Sequence, residues 1–450
     1  MYSSTALGKI ISPANLESAM VRQIEDDKLP NNKVIKKLSE FGEGFKHHHE
    51  NYEAYSISAI RETGGTWDFG DMVFHFPEHF GFCYGVDKAI DMVFETCARF
   101  SVEGGSASGG EGKRIFLTDQ LIHNPYINGK LKEKGVHYLK RDSHNLLVCD
   151  GLQSGDVVVV SAFGTDFRDI QSLKEKNVTI VDSTCGAIIN VWKRVEGYAK
   201  NGFITIMHGK RNHEETRATV SQAVKEGGAY IIIENQKEAE ELASVIRGEM
   251  DEIKFIQKYP NALSDDLRLN FGDSSTTKHS GSAFGGKMGM ANQTTMLKGE
   301  SLEIQNILRK AYIDRFGPEL TAERFKSFDT ICGATQDRQD ALRNLFEKHL
   351  DLLIIVGGFN SSNTSHLAEI AATRFASAKT GPAFYHIESA DDILSREEIR
   401  CRDPRTENTG VETGWFKDSL KEIGITSGAS TPDVTLLTII QKIRQIKNGS

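Results

Sequence analysis

No two of the six cysteines, Cys83, Cys97, Cys149, Cys185, Cys332 and Cys401, stand in a C-x-x-C pair. Scattered singly through 450 residues, with no secretory apolar segment ahead of them, they do not read as a disulfide framework, and a reducing compartment is expected. The expected location is the cytoplasm, with the plastid stroma as the alternative. The opening stretch Met1–Met20 contains serines but is not arginine-rich, which makes it a poor transit peptide. No apolar run approaches the roughly 18 residues a membrane span needs, so no membrane partner is expected. Basic residues are outnumbered, 54 Lys and Arg against 62 Asp and Glu, for a formal net charge of −8. A nucleic-acid binder would show a basic stripe, so that class is not expected either. An anionic small ligand stays open, because its pocket can be built locally from helix ends and a few donors. No G-x-G-x-x-G occurs, so nothing supports a directly bound dinucleotide. One run, Gly281 to Lys287, has P-loop spacing, but Met288 stands where a magnesium-binding hydroxyl belongs, and no strand–loop–helix setting surrounds it.

What the chain does have is a repeated turn. The run Val178–Val191 passes from β-branched residues through Asp182-Ser183-Thr184-Cys185-Gly186-Ala187 into an apolar, helix-like segment. The same grammar returns at Asp329-Thr330-Ile331-Cys332-Gly333-Ala334, and more loosely at Gly81-Phe82-Cys83-Tyr84-Gly85. Each cysteine is expected at a strand end, opening a helix, where the helix N-terminus favours a thiolate. Three such thiolates converging suggest one shared metal centre. A closed structural zinc site wants four ligands, whereas a cluster held by three cysteines leaves one iron open. Cys97, Cys149 and Cys401 lack this context and are read as structural or incidental.

The rest of the chain alternates strand and helix patterns, which predicts parallel sheets covered by helices and a soluble α/β protein of two to four domains. A polar, largely helical extension is read over residues 1–65, a flexible connector over 103–112 and a polar insertion over 259–286. His47-His48-His49 is read as a solvated helix start. Near the C-terminus the pattern predicts a strand over 383–387, a helix over 389–397 and a strand over 422–426.

Ligands of open parallel sheets sit beyond the carboxyl ends of the strands. The residues that follow the strands include His123-Asn124, His213-Glu214-Glu215, Asn292-Gln293-Thr294-Thr295, Asn360-Ser361-Ser362-Asn363 and Ser427-Gly428-Ala429-Ser430. Neutral hydroxyls, amides and imidazoles at helix starts suit a phosphate or diphosphate. A carboxyl group in the same place is repelled by such a ligand. Glu215 is therefore read as a proton carrier, and Glu214 as a neighbour that points elsewhere.

These residues resemble a known family. GFCYGVDKAI, IHNP, VDSTCGAIINVW, HEETRAT, ANQTTMLKGE, DTICGATQDRQ, GGFNSSNTSH and GITSGASTPD, spread over residues 81 to 433, are similar to the motifs of the 4-hydroxy-3-methylbut-2-enyl diphosphate reductases, the LytB or IspH family, in its plant and cyanobacterial branch. The resemblance implies α/β architecture in three lobes, with parallel sheets in a pseudo-threefold arrangement around a central iron–sulfur cluster. It divides the chain into the extension 1–65 and lobes 66–184, 185–331 and 332–450. It implies that Cys83, Cys185 and Cys332 hold one [4Fe-4S] cluster with one open iron. His123, His213, Thr294, Ser361, Ser362, Asn363 and Ser430 would bind the substrate diphosphate, and Glu215, with Thr294, would deliver a proton. The implied reaction is reductive dehydroxylation to isopentenyl and dimethylallyl diphosphate, with ferredoxin or flavodoxin as electron donor. Many bacterial members carry a histidine where Phe163 stands here, which removes one diphosphate donor. Two other readings of the cysteines are a redox or iron sensor without turnover, and a structural zinc protein.

Overall fold

Runs of β-branched residues are the strongest local signal in this chain, and the run Val157–Val160 forms a strand with all four residues buried. A strand buried on both faces is the mark of a parallel sheet covered by helices. The computed structural model describes residues 33–37, 57, 60–61, 65–100, 112–265, 267, 286–375 and 382–449. Most of the 1–65 extension, His47-His48-His49, residues 103–111 of the connector, and residues 268–285 of the insertion, with Gly281 and Gly285 of the P-loop-like run, lie outside the described residues.

In chain order, β1 is Val34–Ile35, β2 Thr66–Asp68, β3 Val73–His75, α1 Tyr84–Phe100, β4 Ile115–Leu117, α2 Pro125–Glu133, β5 His137–Tyr138 and β6 Val157–Val160. There follow α3 Phe167–Glu175, β7 Thr179–Asp182, α4 Gly186–Lys200, β8 Ile204–His208, α5 Glu214–Lys225, β9 Tyr230–Ile233, α6 Gln236–Arg247 and α7 Glu252–Lys258. Then come β10 Met288–Asn292, α8 Lys298–Arg324, β11 Phe325–Ser327, α9 Gly333–Leu345, β12 Leu352–Val356 and α10 Ser362–Phe375. The chain closes with β13 Ala383–Ile387, β14 Glu398–Arg402, β15 Thr409–Thr413, β16 Glu422–Ser427 and α11 Asp433–Lys447.

The strands form three sheets: β1-β7-β6-β4-β5, β11-β10-β8-β9, and β15-β14-β13-β12-β16-β3-β2. The first two are parallel throughout. The third is parallel from β13 to β3 and antiparallel at both edges. The fold is thus mixed α/β with parallel sheets, as the alternation predicts.

Sheet membership departs from the sequence division in two places. Val34 and Ile35, assigned to the extension, pair in parallel with Ile180 and Val181, and Ile35 is fully buried. Thr66–His75, assigned to the first lobe, belongs instead to the third sheet, where β3 pairs with β16. Both departures have one cause: the partner strand lies more than a hundred residues away, and no local pattern names it.

The expected helix at 389–397 is also absent. Ser389 and Asp392 form a capping box around a single 3-10 turn, Ala390–Asp392. Leu394 N–H and Ser395 N–H then both donate to Glu398 O, and the chain continues as β14. Satisfying its donors in this way, the segment has no free end from which to propagate a helix. At 259–286, the first part is packed rather than loose: Leu263 bridges to Ile231, and Ala262, Leu263 and Leu267 are buried in the core of the second sheet. β10, Met-Gly-Met-Ala-Asn, carries no β-branched residue and gives no strand signal of its own, yet it is fully buried between β8 and β11.

The cysteines mark where the chain changes sheets. It leaves the third sheet at β3, passes Cys83, and enters α1, whose Ala89, Ile90 and Val93 pack with Ile115, Val157 and Val181 of the first. It leaves that sheet at β7, passes Cys185, and enters α4, whose Val191 and Val195 pack with Met207 and Ala291 of the second. It leaves the second at β11, passes Cys332, and enters α9, whose Leu342 and Leu345 pack with Leu353 and Ile355 of the third.

Candidate active site

These three crossovers open on one cavity. Cys83, Cys185 and Cys332 all lie on its wall. Cys185 and Cys332 are the N-cap residues of α4 and α9, and Cys83 directly precedes α1. A Cβ added at Gly85 would stand 2.5 Å from Cys185 Sγ and 4.0 Å from Cys83 Sγ, so these two sulfurs face the same point. The three thiols fit a metal group, and its kind is constrained. Sulfurs bound to a single zinc at about 2.3 Å cannot lie more than about 4.6 Å apart. The only His, Cys, Asp or Glu set with all its ligand atoms within 4.8 Å among the described residues is His123, His213 and Glu214. As they stand, the three cysteine sulfurs are not all within 4.8 Å of one another. Burial raises the Cys185 thiol above its ordinary value, opposed by the N–H groups of Ala187 and Ile188 and reinforced by the charges of Cys83 and Cys332. Burial raises Cys332 as well, opposed by Thr335, whose hydroxyl lies 3.0 Å from the sulfur. A bound cation would supply what these N–H groups alone do not, and would turn the thiols into thiolates.

The rest of the lining is rich in neutral donors. His213 caps α5 through Nδ1, which accepts the Glu215 N–H at 3.1 Å. Burial, with His123 beside it, lowers the His213 pKa to about 3, so the ring is neutral and its one proton sits on Nε2. His123 precedes Asn124, the N-cap of α2, and Gly358 backs it so closely that a Cβ there would meet His123 O at 2.3 Å. Ser361, Ser362 and Asn363 open α10, and Ser430 Oγ donates to His123 O at 3.3 Å. Asn363 Oδ1 accepts the Ala429 N–H at 2.9 Å, and Ser362 Oγ accepts from Gln293 Nε2 at 3.1 Å. The N-termini of α2, α5 and α10 therefore contribute to a pocket lined by His123, His213, Ser361, Ser362, Asn363 and Ser430, which suits an anion.

Glu215 lines the same cavity and is 1% exposed. Thr294 N–H donates to its Oε1 at 2.5 Å, and Thr294 Oγ1 lies 3.0 Å from Oε2. Burial outweighs both contacts and raises its pKa to about 7. A carboxyl group balanced near neutral pH inside a cavity is equipped to hold and release a proton.

Every site residue read from the sequence lines this cavity: the three cysteines, Glu215, Thr294, His123, His213, Ser361, Ser362, Asn363 and Ser430. Cys97, Cys149 and Cys401 are buried in hydrophobic clusters instead. Glu214 corrects its expectation. It does not point elsewhere: Oε2 lies 3.5 Å from His123 Nε2 and 3.8 Å from His213 Nδ1. Burial opposes its charge, but the hydrogen-bonding contact with His123 prevails, and its pKa falls to about 2. Since His213 Nδ1 already accepts a backbone N–H, this trio forms a hydrogen-bonding corner rather than a ready ion cage. Phe163 stacks on His123 at 4.4 Å and 23°, and meets His213 edge-on at 5.4 Å. It fixes both rings where a histidine would have added a donor. Thr335 and Gln293 also escaped the sequence reading as individual contributors. Their only signal is position, three residues after Cys332 and one before Thr294.

The sequence profile of the LytB protein family matches residues 75–444. A 4-hydroxy-3-methylbut-2-enyl diphosphate reductase of Thermosynechococcus vestitus is 38% identical over 397 residues, 88% of this chain and 90% of that protein. The protein of the same name from Picosynechococcus sp. is 37% identical over 420 residues, 90% of this chain and 93% of the other. Among solved structures, the E-1-hydroxy-2-methyl-but-2-enyl-4-diphosphate reductase from Plasmodium falciparum shares the fold, with a TM-score of 0.54 at 20% identity over 82% of this chain and 86% of that one. Matched along most of its length, the chain belongs to the LytB protein family.

Proposed function

We infer that this protein is a 4-hydroxy-3-methylbut-2-enyl diphosphate reductase, the last enzyme of the non-mevalonate route to isoprenoids. The observation that carries the reading is the meeting of three cysteines and a buried carboxyl group of near-neutral pKa in one cavity. Cys83, Cys185 and Cys332 would hold one [4Fe-4S] cluster. With one iron left free of protein ligands, such a group supplies Lewis acidity and single electrons when bound.

The chain's own residues do the rest. His213 Nε2–H, the hydroxyls of Ser361, Ser362 and Ser430, the Asn363 amide and the His123 ring hold the diphosphate, and the helix N-termini favour its charge. Gripping that end turns the allylic hydroxyl toward the cysteine wall. Glu215, protonated, gives its proton to the departing oxygen directly or through Thr294 Oγ1. The C–O bond breaks, the oxygen leaves as water, and two electrons and a second proton complete isopentenyl or dimethylallyl diphosphate. Burial of Glu215 and His213 keeps bulk water from competing for that proton. A ferredoxin or flavodoxin is the proposed donor of the electrons. The proposed setting is the cytoplasm or the plastid stroma, and no helix among the described residues is long and apolar enough to cross a membrane. A sensor without turnover has no use for the diphosphate wall, which favours the enzyme over that alternative.

The test is anaerobic turnover of the iron-reconstituted protein with the hydroxylated diphosphate and dithionite. Isopentenyl and dimethylallyl diphosphate are the expected products. An iron-loaded protein that binds the substrate and leaves it unchanged overturns the assignment.

A further inference from the structure

Arg338 is a charge in an unusual place. It sits on α9, is 5% exposed, and is not on the cavity wall. Its hydrogen bonds reach two carbonyls: Nη2 donates to Gly81 O at 2.6 Å and Nη1 to Ala334 O at 2.8 Å. Its Nε is buried without a partner. Gly81 lies two residues before Cys83, and Ala334 two residues after Cys332. The guanidinium is thus clamped between the backbone turns that present two of the three cysteines.

A buried cation costs several kcal/mol unless a counter-charge offsets it, and carbonyl dipoles offset it only in part. Among the described residues no carboxylate makes an ion pair with Arg338; its two hydrogen-bond partners are both carbonyls. The cysteines offset part of that cost: burial pulls the Arg338 pKa down, while Cys83 and Cys332 push it back up, ahead of Asp337. Three thiolates leave an iron–sulfur group net negative, and each added electron deepens that charge.

We propose that Arg338 is the built-in counter-ion of the three-cysteine centre, and that its fixed positive charge raises the centre's reduction potential. The inference rests on the cluster reading given above. A cation in a low-dielectric site stabilises the more negative, reduced state, so removing it makes reduction harder. Arg338 touches neither substrate nor cysteine sulfur, and acts as a tuning residue. Its two carbonyl hydrogen bonds hold it in place, so the charge is fixed before the electron arrives.

The test is a dithionite titration of the reconstituted holoprotein, followed by electron paramagnetic resonance and run beside iron and sulfide analysis, on wild type, Arg338→Gln and Arg338→Lys. Arg338→Gln is expected to keep its iron and to need a driving force at least about tenfold larger in the one-electron equilibrium, a downward shift of about 59 mV or more. Arg338→Lys keeps the charge and is expected to stay near wild type. A Gln variant that loses its iron while the Lys variant keeps it also supports the counter-ion role. An unchanged potential in the Gln variant, or equal shifts or equal iron loss in both variants, overturns it. A wild-type protein that assembles no cluster overturns the cluster reading first, and this inference with it.

Discussion

Glu214 and Glu215 are adjacent in sequence, share one helix terminus, and end with opposite electrostatics. Glu215 is buried against neutral groups and its pKa rises to about 7, whereas Glu214 faces two imidazoles and falls to about 2. Side-chain direction decides this, since successive residues of a helix point about 100° apart. For Glu215 the raised pKa means the folded state holds its proton more tightly than the unfolded chain. The stability it contributes is complete at acid pH and is lost as pH rises from the ordinary glutamate value through about 7. In the proposed mechanism the same proton is the one spent in catalysis. The rate is therefore expected to fall as pH rises through about 7, and Glu215→Gln to lower turnover by about 10² while substrate-induced changes in the visible spectrum persist. Steady-state rates at several pH values check both halves. A Gln variant with near-normal turnover removes Glu215 from the mechanism.

At the level of elements, the helix starts do most of the positioning. α1, α4 and α9 begin at the three cysteines, α2, α5 and α10 at the anion wall. Gly85, in the first turn of α1, shows how tight this convergence is. Alanine there gains about 1 kcal/mol of helix propensity. Its Cβ, however, would press to 2.5 Å from Cys185 Sγ, where no carbon fits. Gly85→Ala is expected to fold, by far-ultraviolet circular dichroism, and to lose at least half its iron after reconstitution. Gly197→Ala on α4, with nothing within 4 Å of the added carbon, is the matched control and should keep full iron. Equal iron in the two variants would mean that the approach of α1 to Cys185 is not critical.

For the whole molecule, the three sheets are linked in a cycle, each handing the chain to the next through a cysteine. Replacing Cys83, Cys185 or Cys332 by serine is expected to strip or destabilise the iron–sulfur group. Replacing Cys97, Cys149 or Cys401, buried in three separate cores, should leave iron content nearly intact. Iron and sulfide analysis of the six variants decides it, and full iron in the Cys185 variant would exclude a cluster at this centre. Burial pushes Cys97 and Cys401 up to about 11, which keeps both as inert thiols.

Whatever depends on near neighbours in the chain was legible in the sequence. The strand-to-helix turns at Cys185 and Cys332, the histidine cap of α5 and the serine-rich start of α10 are written in a few consecutive residues, because capping and β-branched runs act locally. The tertiary structure alone decided which sheet each strand joins. Val34–Ile35 and Val73–His75 are paired by backbone hydrogen bonds with strands at Thr179–Asp182 and Glu422–Ser427, and a hydrogen-bonding edge carries no sequence mark of its partner. It also decided what surrounds a side chain. Phe163 over His123, Glu214 against both histidines and Arg338 between two cysteine turns are contacts across elements. Their electrostatic character comes from burial, and burial exists only once the three sheets have closed around the cavity.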